Sequence, residues 1–274
     1  VCNPLIKHRE WNRLMQWGMF NLMNNLMKVA HMRKIIVIVL LGLFYSTLVF
    51  ALDGNEILKK VDRNLNPESF EMYRKLINIE PDGTKKEFVM FSVKKGKEKI
   101  ASVFLSPASE KGRGTLRIGE NMWLYIPNVG KPIRITSLQS VTGGVFNNSD
   151  IMRVDYNSEY NCEKIETTDK GYTLYLRAKL KNVAYETLTM FIDSKRFLPY
   201  KIEAYAASGM LIKNLYFKEV KDFGDGIIRP SIIETDSPLY KGYKSYIVFA
   251  NVKKRELASE IFSLNYMVKI EGLR

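Results

Sequence analysis

Histidine and cysteine are nearly missing from this chain, two of each in 274 residues, and their positions matter as much as their number. His8, His31 and Cys2 all fall in the first 31 residues, ahead of an apolar run that reads as an export signal. Cys162 alone is left in the body of the chain. Without an imidazole, neither Ser-His-Asp nor Cys-His catalysis can be assembled there, and His-based zinc or copper sites are excluded with it. One cysteine cannot close an internal disulfide even in an oxidising compartment, so Cys162 reads as a small buried or half-buried strand residue. The body of the chain also has no Pro/Ser-rich linker, low-complexity tract or repeat to divide it.

What is present begins with the export signal. Arg33 and Lys34 precede "IIVIVLLGLFYSTLVFA", an apolar run over 35–51 with Val49 and Ala51 at the −3 and −1 positions of a cleavage site. The run is short of the roughly 20 residues a membrane span needs. A basic stretch, an apolar stretch and small residues before the cut predict a cleavable signal peptide over 32–51 and an exported product, a retained anchor being the alternative. No cysteine follows the run to take a lipid. Residues 1–31 do not fit a signal that should start at an N-terminus. Met32 is the expected start, and 1–31 an over-extended reading frame outside the fold. The competing reading is an amphipathic helix, because Met15, Met19, Met23 and Met27 recur at a helical interval. The folded unit is expected to be a single domain over 52–274.

Charge is less decisive. The first 51 residues hold six bases and one acid; subtracting them from 42 and 29 leaves 36 against 28, or +8. A basic surface can attract nucleic acid, anionic lipid or an acidic partner. Export argues against nucleic acid, and the bases are dispersed. The tightest cluster, "SVKKGKEK" over Ser92–Lys99, reads as a hairpin turn with solvated charge.

"DGNEILKKVDRNL" opens on Asp53, a candidate N-cap, and spaces Ile57, Leu58, Val61 and Leu65 as a helix. The pattern then changes to period two. "KKEFVMFSV", "KIASVFLSP", "GTLRIG", "NMWLYIP", "PIRIT", "GYTLYLRAKL", "YETLTMFID", "PYKIEAYAA", "MLIKNLYFKEV", "IIRPSIIET" and "KSYIVFANVKK" are the strand candidates, divided by turns such as "PDG", "KKGK", "ASG" and "GDG". About eleven strands on such short connections predict a meandering antiparallel sheet. A second helical piece is expected in "NNSDIMRVDY", capped by Ser149 or Asp150. "SEIFSLNYM" reads as a short closing helix or an extended tail.

The two faces of this sheet differ. Met122, Leu124 and Ile126 alternate with Trp123 and Tyr125, and Leu188, Met190 and Ile192 alternate with Thr187, Thr189 and Phe191. A wide sheet with few helices must close on itself or curl around something apolar. That leaves two readings: an ordinary packed barrel core, or a concave apolar surface for acyl chains. If the aliphatic face is concave, Met122, Leu124, Ile126, Leu188, Met190 and Ile192 line it, with Trp123, Tyr125 and Phe191 outside or at the rim. The inverse assignment stays open.

An enzyme without histidine would need paired carboxylates, a Ser-Lys pair or an oxygen-ligated metal. Asp150 and Asp155, or Asp222 and Asp225 of "DFGDG", offer pairs. Asp150 reads better as a helix cap and "DFGDG" as a hairpin turn. The expectation is no enzyme, no cofactor and no metal.

The stretch "GRGTLRIGENMWLYIPNVGKPIRITSLQSVTGGVFNNSDIMRVDY" resembles the central signature of the LolA/LolB-like outer-membrane lipoprotein-sorting proteins. There, a glycine-bearing strand leads to W-L-Y-x-P, a basic strand, and then G-x-F-x-N-x-D opening a short helix. The matching positions are Gly112, Gly114, Trp123, Leu124, Tyr125, Pro127, Gly144, Phe146, Asn148 and Asp150. "YETLTMFIDSKRFLPYKIEAYAASGMLIKNLYF" is similar to the family's later hairpin. The resemblance implies an α+β fold: an incomplete antiparallel β-barrel with a few helices over its open mouth. It makes Phe146 part of the cavity or its rim, and Gly114, Pro127, Gly144, Asn148 and Asp150 structural. It further implies a monomeric periplasmic carrier for acylated lipoprotein or lipid, served by an inner-membrane transporter of ABC or RND type. The branch looks like the subgroup associated with RND-type exporters. The same fold serves envelope sensors and transporter accessory proteins, so fold does not fix cargo.

Overall fold

The computed structural model describes residues 53–140 and 142–274, with scattered helical positions between 15 and 32. Residues 33–52 lie outside the described residues, and the expected signal peptide, apart from Met32, falls there. Met15, Met19, Met23 and Met27 are helical and exposed. Among the described residues, no helix is long and apolar enough to cross a membrane.

Helix α1 (Gly54–Leu65) begins where the sequence places it: the Asp53 carboxylate accepts from the Asn55 amide at 2.9 Å. Its Ile57, Leu58, Val61 and Leu65 are buried as one stripe. Thirteen strands follow in one antiparallel sheet. They are β1 (Ser69–Ile79), β2 (Lys85–Lys95), β3 (Lys99–Ser106), β4 (Gly114–Ile118), β5 (Asn121–Tyr125), β6 (Ile133–Ile135), β7 (Tyr160–Thr168), β8 (Gly171–Ala178), β9 (Thr187–Asp193), β10 (Leu198–Tyr205), β11 (Leu211–Asp222), β12 (Ile228–Asp236) and β13 (Lys244–Lys254).

The order is β6-β5-β4-β3-β2-β1-β13-β12-β11-β10-β9-β8-β7. Two meanders run outward from the central β1–β13 pair, and the edges β6 and β7 are not joined by hydrogen bonds. The sheet is therefore an open, incomplete barrel. The chain passing directly from one edge to the other is the connection 136–159. It carries two single-turn helices, α2 (Asn148–Ile151) and α3 (Tyr156–Glu159).

The count of about eleven strands falls short by two, β1 and β7, for different reasons. In β1, burial alternates perfectly, but the inward positions include Arg74 and Asn78 beside Phe70, Met72 and Leu76, so the apolar alternation is broken. Strand β7, "YNCEKIETT", is an edge strand whose only fully buried side chain is Tyr160. The cap of α2 is a second correction. Asn147, not Ser149 or Asp150, is the N-cap; Asp150 is three residues on and completes a capping box by accepting from the Asn147 amide at 3.1 Å.

Both faces of the sheet are used. The inner face, with α1 and residues 146–156, forms one large apolar cluster. On the outer face, Phe91, Val93, Ala101, Val103 and Leu116 pack under the C-terminal residues Leu257, Ile261, Phe262, Met267 and Ile270. Of the two readings of the closing segment, the short helix holds and the extended tail does not: it is 3-10 helical over Ser259–Ile261 and Leu264–Leu273.

Candidate functional site: the inner face and the segment that fills it

Parity along the strands decides which side chains reach the interior. Met122 on β5 and Leu188, Met190 and Ile192 on β9 belong to the inner cluster, together with Phe146 of the connecting segment. Leu124 is buried and Ile126 half-buried. Trp123 and Tyr125 face the other way and pack against the outer cluster. Phe191 is also turned outward, its ring 6.0 Å from that of Tyr200. The aliphatic set is thus the inner set. Trp123 consequently reports on the C-terminal cover and not on the interior.

The same parity carries charged groups inward. Arg74 (β1), Lys94 (β2), Arg117 (β4), Lys213 (β11) and Arg229 (β12) are each at most 4% exposed. Sequence reasoning passed over four of them and read the fifth, Lys94, as solvated charge at a hairpin turn; it lies within β2, buried and paired with Asp155. The signal was present: Lys213 shares parity with Leu215 and Phe217, and Lys94 with Phe88 and Met90. Such groups must find partners or become costly.

Most find them in residues 142–159. Asn78 donates to the carbonyls of Thr142 and Gly143, both at 3.1 Å. The Val145 amide donates to Ser245 Oγ at 3.0 Å, and Lys213 donates to the Val145 carbonyl. Arg74 donates to the Ile151 carbonyl, and Arg117 to that of Met152. Asn148 donates to the Thr136 carbonyl at 2.8 Å. These tethers hold mainly backbone, so the sheet grips the segment's path more than its side chains.

Two ionic clusters complete the hold. Asp150 is paired with Lys213 at 2.8 Å and accepts from the Tyr185 hydroxyl at 2.9 Å. Burial opposes its ionisation, but the Lys213 and Arg153 charges outweigh that and hold its carboxyl below the ordinary value. Glu159 is shared between Arg117 and Arg153, the latter at 2.6 Å. Toward α1, Asp62 accepts from the Tyr156 and Asn157 amides, each at 2.8 Å, and Asp155 pairs with Lys94 at 2.6 Å. Burial, reinforced by the neighbouring Asp155, pushes the Asp62 carboxyl up to about 7.

The glycines and proline of the central motif differ in their roles. Gly144 has φ +74°, and a Cβ there would collide with the Asn78 side chain. At Gly114 a Cβ would make only ordinary contacts, the nearest at 3.6 Å, so glycine is not required sterically. Pro127 follows β5 and marks its end. Asp222 of "DFGDG" accepts from the Gly224 amide at 2.8 Å, a turn contact and no catalytic pairing.

With the segment seated, a cavity of about 50 Å³ remains. Leu65, Met72, Phe217, Ile247 and Phe249 supply its apolar wall, and Arg74, Asp150, Arg153 and Arg229 border it. Pockets for drug-sized ligands run to roughly 300–1,000 Å³. A cavity of this size holds neither a drug-sized ligand nor an acyl chain.

A family model described as "Uncharacterized protein" matches residues 96–269. No curated protein matches the chain. Among solved structures, a LolA superfamily protein from Nitrosomonas europaea is 28% identical with a TM-score of 0.71, over 79% of this chain and 100% of that one. A DUF1329 family protein from Desulfovibrio piger is 20% identical, TM-score 0.67, over 78% and 97%. An outer membrane lipoprotein-sorting protein domain from Vibrio parahaemolyticus is 19% identical, TM-score 0.66, over 78% and 98%. The last two establish likeness of fold.

Proposed function

This chain belongs to the family whose model spans residues 96–269 and has the LolA-like fold, and from that premise we propose that it is a non-enzymatic carrier of acyl chains. The cargo is a lipid or the acylated end of a lipoprotein, moved between membranes through the periplasm. Residues 32–51 direct its export, and an inner-membrane transporter of ABC or RND type loads or unloads it. The observation that carries this reading is the segment 142–159. It belongs to the connection between the two free sheet edges, covers the inner face with Phe146, Ile151, Met152, Val154 and Tyr156, and is held there by polar tethers as well as by that apolar contact.

That division suits a container that must open. An acyl chain in water costs about 0.8 kcal/mol per CH₂, so an aqueous crossing needs an apolar enclosure. The neutral tethers contribute about 0.5–1.5 kcal/mol net each and those from Arg and Lys about 1.5–3 kcal/mol, because water replaces them on opening. Release of the segment would expose Met122, Phe146, Leu188, Met190 and Ile192 to cargo, with Leu124 and Ile126 toward the rim.

The test is native mass spectrometry with a diacylated lipopeptide and its deacylated counterpart. A 1:1 complex with the acylated form alone is expected. Equal binding of both would contradict the reading. Failure of both to bind, with stable capture of an inner-membrane protein, would favour a sensor or accessory role on the same fold.

A further inference from the structure

The inner face holds two cations that no tether neutralises. Arg74 and Arg229 are 3% and 4% exposed, and both border the remaining cavity. Among the described residues neither has a carboxylate within ion-pair distance. Arg74 meets only neutral acceptors: Ser92 Oγ at 2.7 Å, Ser102 Oγ at 2.8 Å and the Ile151 carbonyl. Arg229 is emptier still. Its one hydrogen bond is to Asn66 Oδ1 at 3.3 Å, its Nε has no partner, and its guanidinium lies 4.3 Å from the centre of the Phe249 ring.

The neighbouring charges do not serve these two. Asp150 borders the same cavity, but its oxygens are taken by Lys213, Tyr185 and the Asn147 amide. Arg153 is matched by Glu159 and Asp150. Burial lowers the pKa of Arg74, and the nearby Arg229 charge lowers it further. An unpaired buried cation is expensive, and two side by side more so. A counter-charge brought by a ligand removes that cost.

We propose that Arg229, with Arg74 beside it, is an anion subsite, and that the amphiphile this protein takes carries a phosphate or carboxylate head group. The proposal rests on the carrier reading and narrows it. The planar guanidinium fork suits an oxyanion. The cavity has room for a few water molecules, hence for such a group, while Leu65, Met72 and Phe217 lead from it onto the apolar face. An acylated protein terminus offers esters and amides at its chains and no anion, so the favoured cargo is an anionic lipid.

The experiment is calorimetric titration of the full chain with three probes below micellar concentration: 1-palmitoyl-lysophosphatidylglycerol, 1-palmitoylglycerol and inorganic phosphate. The lysophospholipid should bind at least about tenfold more tightly than the uncharged monoacylglycerol. Arg229→Gln should bring the two within about twofold, and Arg229→Lys should keep the preference. Arg229→Gln should also unfold in urea no earlier than the parent, since it breaks no ion pair; early unfolding would mark Arg229 as structural and overturn the proposal. Equal affinities in the parent chain, or a preference that survives Arg229→Gln, would overturn the subsite and leave the carrier standing. Phosphate binding as tightly as the lysophospholipid would point to a free-phosphate site and overturn the head-group assignment. If neither amphiphile binds, the carrier reading falls and the subsite with it.

Discussion

At the scale of single residues, parity matters more than hydrophobicity. Arg74, Lys94, Arg117 and Lys213 each stand where an aliphatic residue would satisfy an ordinary barrel core, and each is instead used to bind the connecting segment. Gly144 shows how tightly that connection is fitted. Its positive φ and the Asn78 side chain behind it both reject a Cβ, whereas Gly143 at φ +70° faces open space. Gly144→Ala should therefore cost about 2–4 kcal/mol in urea unfolding, and Gly143→Ala about 1 kcal/mol. Equal losses would mean that the Asn78 contact does not constrain the loop. The family motif was legible in the sequence because Gly144, Asn148 and Asp150 are close in the chain. What those residues touch was not, since Lys213, Tyr185 and Asn78 arrive from distant strands.

At the scale of elements, α1 and α3 meet through one carboxylate. Asp62 accepts two amides from the start of α3, while Asp155 lies near and Lys94 partly offsets it. A carboxyl raised from 3.8 to about 7 on folding holds its proton more tightly in the folded state. Stability should then fall as pH rises from about 4 to about 7, by about 1–4 kcal/mol from this group. Asp62→Asn should flatten that part of the urea-stability profile relative to the parent; an unchanged slope would remove Asp62 as its source. Helix α1 itself was fully legible, cap and stripe together, because capping and 3.6 periodicity are local. Strands β1 and β7 were not. The first hides its period behind inward polar residues, and the second is an edge with little to bury. The C-terminal segment is a cover of a different kind. Deleting 257–274 should uncover Phe91, Val93 and Leu116, increase binding of an apolar dye and lower Tm by about 5 °C or more. An unchanged Tm would show that the outer face does not depend on it.

At the scale of the whole molecule, openness follows from topology. Two meanders diverge from β1 and β13, their edges never pair, and the connection between those edges becomes the natural closure. Short turns and alternating strands announced the sheet; the sequence could not announce that its mouth is filled by residues 142–159, because the grip depends on side chains spread over β1, β2, β4, β11 and β13. The central claim is that acyl chains take the inner face as that segment leaves it. Hydrogen exchange read by mass spectrometry, with and without a diacylated lipopeptide, tests it most directly. The account predicts faster exchange across 142–159 on binding and unchanged exchange in β9 and β10. Binding that leaves 142–159 as protected as before would contradict it.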